Sequence, residues 1–292
     1  MRFIHKFNSL RIKHYTLLSI MLILLFLQTN AQERLIIVGG GKRPEAAMAK
    51  FVEWAGKERA HILIIPWATS EPEASFEYLK KDLALFNPKE IELAPIAPIT
   101  EEKKIKFLNQ LKNATGVFFT GGDQVKIMEV LKDESLFQTL KQRYDAGTVF
   151  GGTSAGAAIM SSQMITGEGD FTVIDGKKVQ TSLGLGLLPN DVIVDQHFIK
   201  RQRLNRLFGL ILQNREKFGI GIDEDTALVL TDNRYGEVVG ARQIMMVNAQ
   251  KRNGALIVHL LQPGEWLDLR KHKPRKQKSL KQKLSKRLVI VL

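Results

Sequence analysis

The pentapeptide Gly152-Thr153-Ser154-Ala155-Gly156 has the G-x-S-x-G spacing of a nucleophile elbow. An apolar run precedes it and a small-residue stretch, Ala157-Ala158, follows it, which is the strand–turn–helix setting that an elbow requires. Glycines on either side remove Cβ atoms that would clash in a strained turn, and leave the serine Oγ open for attack on a carbonyl. The N–H of Ala155 is then placed to stabilise an oxyanion. The bland alternative is a turn serine that caps its own helix.

A serine nucleophile needs a base, and elimination narrows the choice. His5 and His14 lie in the basic N-terminal segment and His272 in the basic C-terminal one. His61 begins a strand, the wrong end of a parallel sheet, and His259 sits between Val258 and Leu260 in a late strand. His197, in Asp195-Gln196-His197-Phe198, falls where a strand ends and a helix begins, and is the candidate base. No second histidine or cysteine lies near it in sequence, so neither a metal site nor a cofactor is expected. Two sets of acids remain open as its partner: Glu168 and Asp170 after the elbow helix, and Asp223-Glu224-Asp225 after a later strand. Two further loops carry paired glycines. Gly121 and Gly122, in Thr120-Gly121-Gly122-Asp123-Gln124, let backbone N–H groups approach a ligand at a helix start. Gly39-Gly40-Gly41 lacks the G-x-G-x-x-G spacing of a dinucleotide loop and reads as a tight turn near the site.

The elements that must position these residues alternate regularly. Apolar, β-branched runs fall at Arg34–Val38, His61–Pro66, Ile91–Ile96, Gly116–Thr120, Thr148–Phe150 and Val192–Val194. Between them lie helical stretches at Pro44–Lys57, Glu71–Phe86, Glu101–Lys112, Gln124–Leu131 and Ser135–Ala146. Short strands apolar on both faces, separated by helices, predict a mostly parallel, flavodoxin-like α/β sheet covered on both sides. From about Phe218 strand follows strand (Gly219–Ile222, Ala227–Leu230, Glu237–Val239, Ile244–Val247, Ala255–Leu261), which reads as an antiparallel C-terminal extension of the same sheet. Ligands of such sheets bind beyond the carboxyl ends of the strands, where the elbow and His197 both fall.

The chain has 292 residues, 44% of them hydrophobic and 25% charged, and no cysteine. That excludes a disordered chain, a disulfide scaffold and thiolate chemistry. Its formal charge of +13 belongs to the two ends. Residues 1–15 hold four basic groups and residues 270–287 ten, neither with an acid, so the body between is close to neutral and carries no basic stripe for nucleic acid. The first cluster precedes the apolar run Leu17–Leu27 and a small residue, Ala31, the pattern of a secretory signal peptide over 1–31. The expectation is an exported protein, periplasmic or secreted after cleavage near Ala31, with a single α/β domain over 32–269. Residues 270–292 read as a solvated basic tail, a possible contact for an acidic surface.

Four stretches then converge: FTGGDQ (Phe119–Gln124), GGTSAGA (Gly151–Ala157), DQHF (Asp195–Phe198) followed by Arg201, Arg203 and Arg206, and GIGIDEDTA (Gly219–Ala227). Together, in this order, they resemble the cyanophycinases, serine exopeptidases related to the alpha-aspartyl dipeptidases, with a fold similar to class I glutamine amidotransferases. The resemblance runs from about Arg34 to Leu261. It implies Ser154 as nucleophile, His197 as general base and Glu224 as the orienting acid, with N–H groups of Gly121, Gly122 and Ala155 forming the oxyanion hole. Gln124, Asp195, Gln196, Arg201, Arg203 and Arg206 match positions lining the family's substrate pocket. The implied substrate is cyanophycin, a poly-aspartate backbone with arginine on each β-carboxyl group, cut to β-Asp-Arg dipeptides, and the implied assembly is a homodimer. Other aspartyl or isoaspartyl dipeptidases of the family, and a non-catalytic binding module, are the alternatives. At 100° per residue Arg203 and Arg206 share a helix face while Arg201 points nearly opposite, so an irregular first turn is expected if all three act together.

Overall fold

The structure is a computed structural model that describes residues 32–167, 169–170, 172–250 and 254–275, and the backbone of the strand 286–290. Residues 1–31, over which the sequence pattern predicts a signal peptide, and Glu168 lie outside the described residues.

Strands β1 (Arg34–Val38), β2 (His61–Ile65), β3 (Glu90–Leu93), β4 (Gly116–Phe119) and β5 (Val149–Thr153) are parallel neighbours in the order β3-β2-β4-β5-β1. The first four of that order repeat the start of the flavodoxin-like arrangement, and the chain's first strand occupies the fifth place. Alternate side chains face opposite layers. Ile36, Val38, Ile62, Ile64 and Phe118 pack with Phe51 of α1 (Glu45–Ala55) and Leu79 of α2 (Pro72–Ala84). Leu35, Ile37, Leu63, Ile65 and Phe119 pack with Phe107 of α3 (Glu101–Asn113) and Leu140 of α5 (Glu134–Asp145), so the α/β class and the doubly covered sheet read from the sequence are observed. The short helix α4 (Gln124–Val130) starts at an Asp123 cap, whose carboxylate accepts from Val125 N–H.

The later strands divide between two sheets rather than extending one. Strands β10 (Thr226–Thr231), β11 (Tyr235–Gly240), β14 (Trp266–Asp268) and β15 (Lys273–Arg275) continue the first sheet beyond β1 in that order, each antiparallel to the strand before it. Strands β8 (Val192–Gln196) and β9 (Phe218–Ile222) run parallel to each other in a second sheet, completed by β12 (Ile244–Ala249), β13 (Leu256–Leu261) and β16 (Lys286–Ile290). Val194, Ile220, Ile222 and Met246 join the core under the first sheet, while Ile193, Val247 and Val258 pack on α7 (Leu204–Gln213) through Leu207 and Ile211. Periodicity marks these segments as strands buried on both faces but says nothing of which sheet receives them. Within β9 the side chains alternate with glycine, because Phe198 and Leu207 occupy the space that side chains at Gly221 and Gly219 would fill.

The basic segment is not a solvated tail where it is described. Residues Leu269–Lys271 form a 3₁₀ turn, β15 pairs with β14, and β16 pairs with β13. His272 stacks on Phe218 at 4.5 Å and its Nε2 lies 2.7 Å from Asp191 Oδ2. Pairing with β14 uses backbone N–H and C=O groups, so the cationic side chains can stay in solvent: exposed Lys273 and Arg275 alternate with half-buried Pro274. Residues 276–285 lie outside the described residues.

Candidate active site

Ser154 follows β5 directly and precedes the single-turn helix α6 (Ala155–Ala158). Its φ of 53° and ψ of −110° are a strained combination for a residue with a Cβ, the kind that surrounding structure must hold in place. The holding contacts are visible: Ser154 N–H donates to Val38 C=O at 3.0 Å, and Gly156 N–H to Thr120 C=O at 3.2 Å. The side chain makes no capping bond to α6, so the bland reading of Ser154 fails. Instead Oγ lies 2.8 Å from His197 Nε2.

His197 directly follows β8 of the second sheet and reaches the first sheet's loop through its own backbone. Its N–H donates to Gly39 C=O at 2.7 Å, at a φ of 51°. The ring rests against Gly40, where a Cβ would come within 2.2 Å of the imidazole. Gly39-Gly40-Gly41 is therefore the platform under the imidazole, a role that a tight turn alone does not describe. The other ring nitrogen, Nδ1, lies 2.7 Å from Glu224 Oε1. A carboxylate there fixes the proton on Nδ1 and leaves Nε2 to accept from the serine. Burial pushes the imidazole below its ordinary value; the Glu224 hydrogen bond opposes this, and the cations of Arg201 and Arg203 add to the lowering.

Each acid of Asp223-Glu224-Asp225 has a separate contact. Buried Asp223 Oδ1 accepts from the N–H groups of Ile199 at 3.2 Å and Lys200 at 2.9 Å, which fixes the turn after His197. Glu224 faces the imidazole. Asp225 Oδ1 accepts from Lys42 N–H at 2.7 Å and so ties down the glycine platform. Asp170 is elsewhere: its carboxylate takes the Thr172 N–H at 2.9 Å, the Thr172 hydroxyl and Lys178 Nζ at 3.2 Å, which hold its pKa down to about 2.

Of the oxyanion candidates, Gly121 lies against Ser154, with room of only 3.3 Å between a Cβ there and Ser154 Cβ. Ala155 is the first residue of α6, where backbone N–H groups have no intrahelical partner. Gly122, at φ +136°, turns tightly over the Ala68 carbonyl.

The pocket candidates fall into two groups. Arg206 and Asp195, 2% and 1% exposed, engage each other in a two-point pair, with Nε 2.8 Å from Oδ2. Arg206 also donates to Gly167 C=O. Arg203 Nη1 donates to the Gln196 carbonyl at 3.0 Å and to its Oε1 at 2.8 Å. Gln124 Nε2 donates at 2.8 Å to Ile165 C=O in β6 (Gln163–Ile165), which pairs with β7 (Thr181–Leu183). Asp195 and Arg206 are thus committed to one another, because an unpaired charge at that depth is far costlier than the pair. Arg201 is exposed. The turn 197–203 is irregular, with Gln202 at φ 53°, and α7 begins only at Leu204. Helical phase therefore does not apply to Arg201.

Fold and site together define a serine-type peptidase. The sequence model of peptidase family S51 matches residues 35–238, and the chain belongs to that family. It is 33% identical to the cyanophycinase of Geminocystis herdmanii over 219 residues, 74% of this chain and 80% of that one. It is 30% identical to the cyanophycinase of Synechococcus elongatus over 265 residues, 84% of this chain and 82% of that one. In fold it is similar to a peptidase from an acI-B1 Actinobacterium (TM-score 0.63, 23% identity), covering 84% of this chain and all of the other.

Proposed function

We propose that the protein is an exported serine exopeptidase that hydrolyses cyanophycin, or its fragments, to β-Asp-Arg dipeptides. The observation that carries the reading is the unbroken line Ser154 Oγ–His197 Nε2–Nδ1–Glu224 Oε1, at 2.8 Å and 2.7 Å. Its likeness to named cyanophycinases over most of both chains supports the substrate.

In this reading Oγ attacks the scissile carbonyl carbon while Nε2 takes the hydroxyl proton. The carbonyl π pair moves to oxygen, and the N–H groups of Ala155 and the Gly121-Gly122 turn receive the negative charge. As the intermediate collapses, the imidazolium gives its proton to the leaving amine. Water, deprotonated by the same nitrogen, then attacks the acyl-enzyme and regenerates Ser154. Glu224 stabilises the imidazolium in both halves without taking its proton. A lowered histidine pKa keeps the base neutral and ready near neutral pH.

Exposed Arg201 is the cation available to a substrate carboxylate, a contact that guanidinium geometry favours. The buried Arg206–Asp195 pair shapes the wall of the pocket, with Gln124, Gln196 and Arg203 completing it. The reading includes removal of residues 1–31, a homodimer, and contact of the basic C-terminal segment with acidic surfaces. Incubation with insoluble cyanophycin, followed by mass analysis of the soluble products, tests it. Dipeptides of aspartate and arginine are expected, and release of free arginine alone would contradict exopeptidase action.

A further inference from the structure

Two crossovers run side by side between the sheets. Asp223–Asp225 carry the chain from β9 to β10, and residues 241–243 carry it back from β11 to β12. Their backbones are joined: Ala241 N–H donates to Asp225 C=O at 2.8 Å, and Asp223 N–H to Gln243 C=O at 3.4 Å. Arg242 N–H donates to Thr226 Oγ1 at 3.0 Å, and that hydroxyl donates to the Glu224 carbonyl at 3.1 Å. Three carboxylates on consecutive residues repel one another, and Arg242 supplies the opposing charge. Its Nη1 is 3.6 Å from Asp223 Oδ2, and its Nε is 3.8 Å from Asp225 Oδ2.

Those two carboxylates already hold the parts that meet at the imidazole. Asp223 fixes the turn that follows His197, and Asp225 fixes the glycine platform beneath the ring. We propose that Arg242 is a positioning residue for the reaction: by bridging Asp223 and Asp225 it sets the crossover on which Glu224 faces His197 Nδ1. The proposal rests on the triad reading given above. Both contacts are longer than a hydrogen bond, so charge rather than direction carries them. The Arg242 side chain is 42% exposed, which opens the bridge to screening by salt.

The charged groups acting on His197 are Glu224, Arg201 and Arg203. Loss of Arg242 then has opposite signatures under two roles. Weakening the Glu224 contact lowers the pH at which His197 becomes the free base, because that contact favours the imidazolium. Removing a positive charge without disturbing Glu224 raises that pH.

The test is the rate at which a neutral sulfonyl fluoride modifies Ser154, followed by intact mass and peptide mapping across pH, in the full chain and in R242Q and R242K. R242Q is expected to react about tenfold more slowly, in the range that small misplacements of reacting groups cost. Its acid midpoint should be lower than in the wild type, and R242K should recover most of the rate. In the wild type, added sodium chloride should slow the reaction toward the R242Q rate, while R242Q stays unchanged. An R242Q rate equal to wild type, or a slower rate with the midpoint unmoved or raised, overturns the proposal. If R242Q does not fold, a wild-type rate indifferent to salt overturns it instead. Failure of the wild type to react at Ser154 at all overturns the triad reading and this inference with it; normal wild-type reaction separates the two.

Discussion

Two acid-bearing turns look alike in sequence and behave differently in the folded chain. Gly167-Glu168-Gly169-Asp170 and Asp223-Glu224-Asp225 both follow an apolar run, and both lie within reach of a triad by chain order alone. In the first turn the partners of the Asp170 carboxylate, Thr172 and Lys178, are within eight residues of it, so that carboxylate is bound within its own segment. In the second, the partners lie on other elements: Ile199, Lys200, His197, Lys42 and Arg242. An acid held only by its own turn moves with that turn. An acid on a crossover pinned by two sheets can hold an imidazole in one tautomer and one place.

The largest effect expected on that contrast is at the nucleophile, which both assignments share. Ser154→Ala should lower kcat by about 10⁶-fold, on the scale seen when such a serine is removed elsewhere. Turnover of a chromogenic or mass-resolved aspartyl peptide checks it, and residual activity close to wild type would remove Ser154 from the chemistry.

Next comes the pair that supports the second turn's neighbour, β8. Arg206→Met leaves the Asp195 carboxylate buried without its partner and should cost about 3–5 kcal/mol of stability, read from chemical unfolding. Combining it with Asp195→Leu should recover a large part of that loss, because the pair rather than either charge is what the site tolerates. A single variant as stable as the wild type would return Arg206 to the list of groups free to bind substrate.

The smallest expected effect is electrostatic. Arg201 lowers the His197 pKa, so Arg201→Gln should move the acid limb of kcat/KM to higher pH. In the wild type that limb sits below the ordinary histidine value of about 6.5, because activity requires the neutral imidazole and burial disfavours the charged one. A limb that stays in place in the variant would show that Arg201 does not face the imidazole.

The elbow was legible in the sequence because its cause is local. A buried strand, a glycine-flanked serine and a run of small residues fall within a dozen positions. His197 was legible by elimination and by its place at a strand's end. The expected strand Thr148–Phe150 stopped short of the observed end at Thr153, since Gly151 and Gly152 lower strand preference while Phe118 and Gly156 need the space. The choice between the two acid turns could not be read from spacing, because it depends on β8 and β9 lying side by side, with Gln196 opposite Ile222. Resemblance to known sequences selected Glu224 without supplying that reason. The platform role of Gly39–Gly41 and the docking of His272 on Phe218 were also illegible, since both are contacts between segments more than 50 residues apart.

The measurement that bears most directly on the account is the turnover of Glu224→Gln and Asp170→Asn, side by side on one substrate. Glu224→Gln should lower kcat by roughly 10²–10⁴-fold, bounded by the loss seen when a triad acid is replaced by its amide. Asp170→Asn should cost about tenfold or less, the loosening of a surface turn being its only expected consequence. Near-normal turnover in Glu224→Gln, with collapse in Asp170→Asn, would contradict the assignment of the two turns.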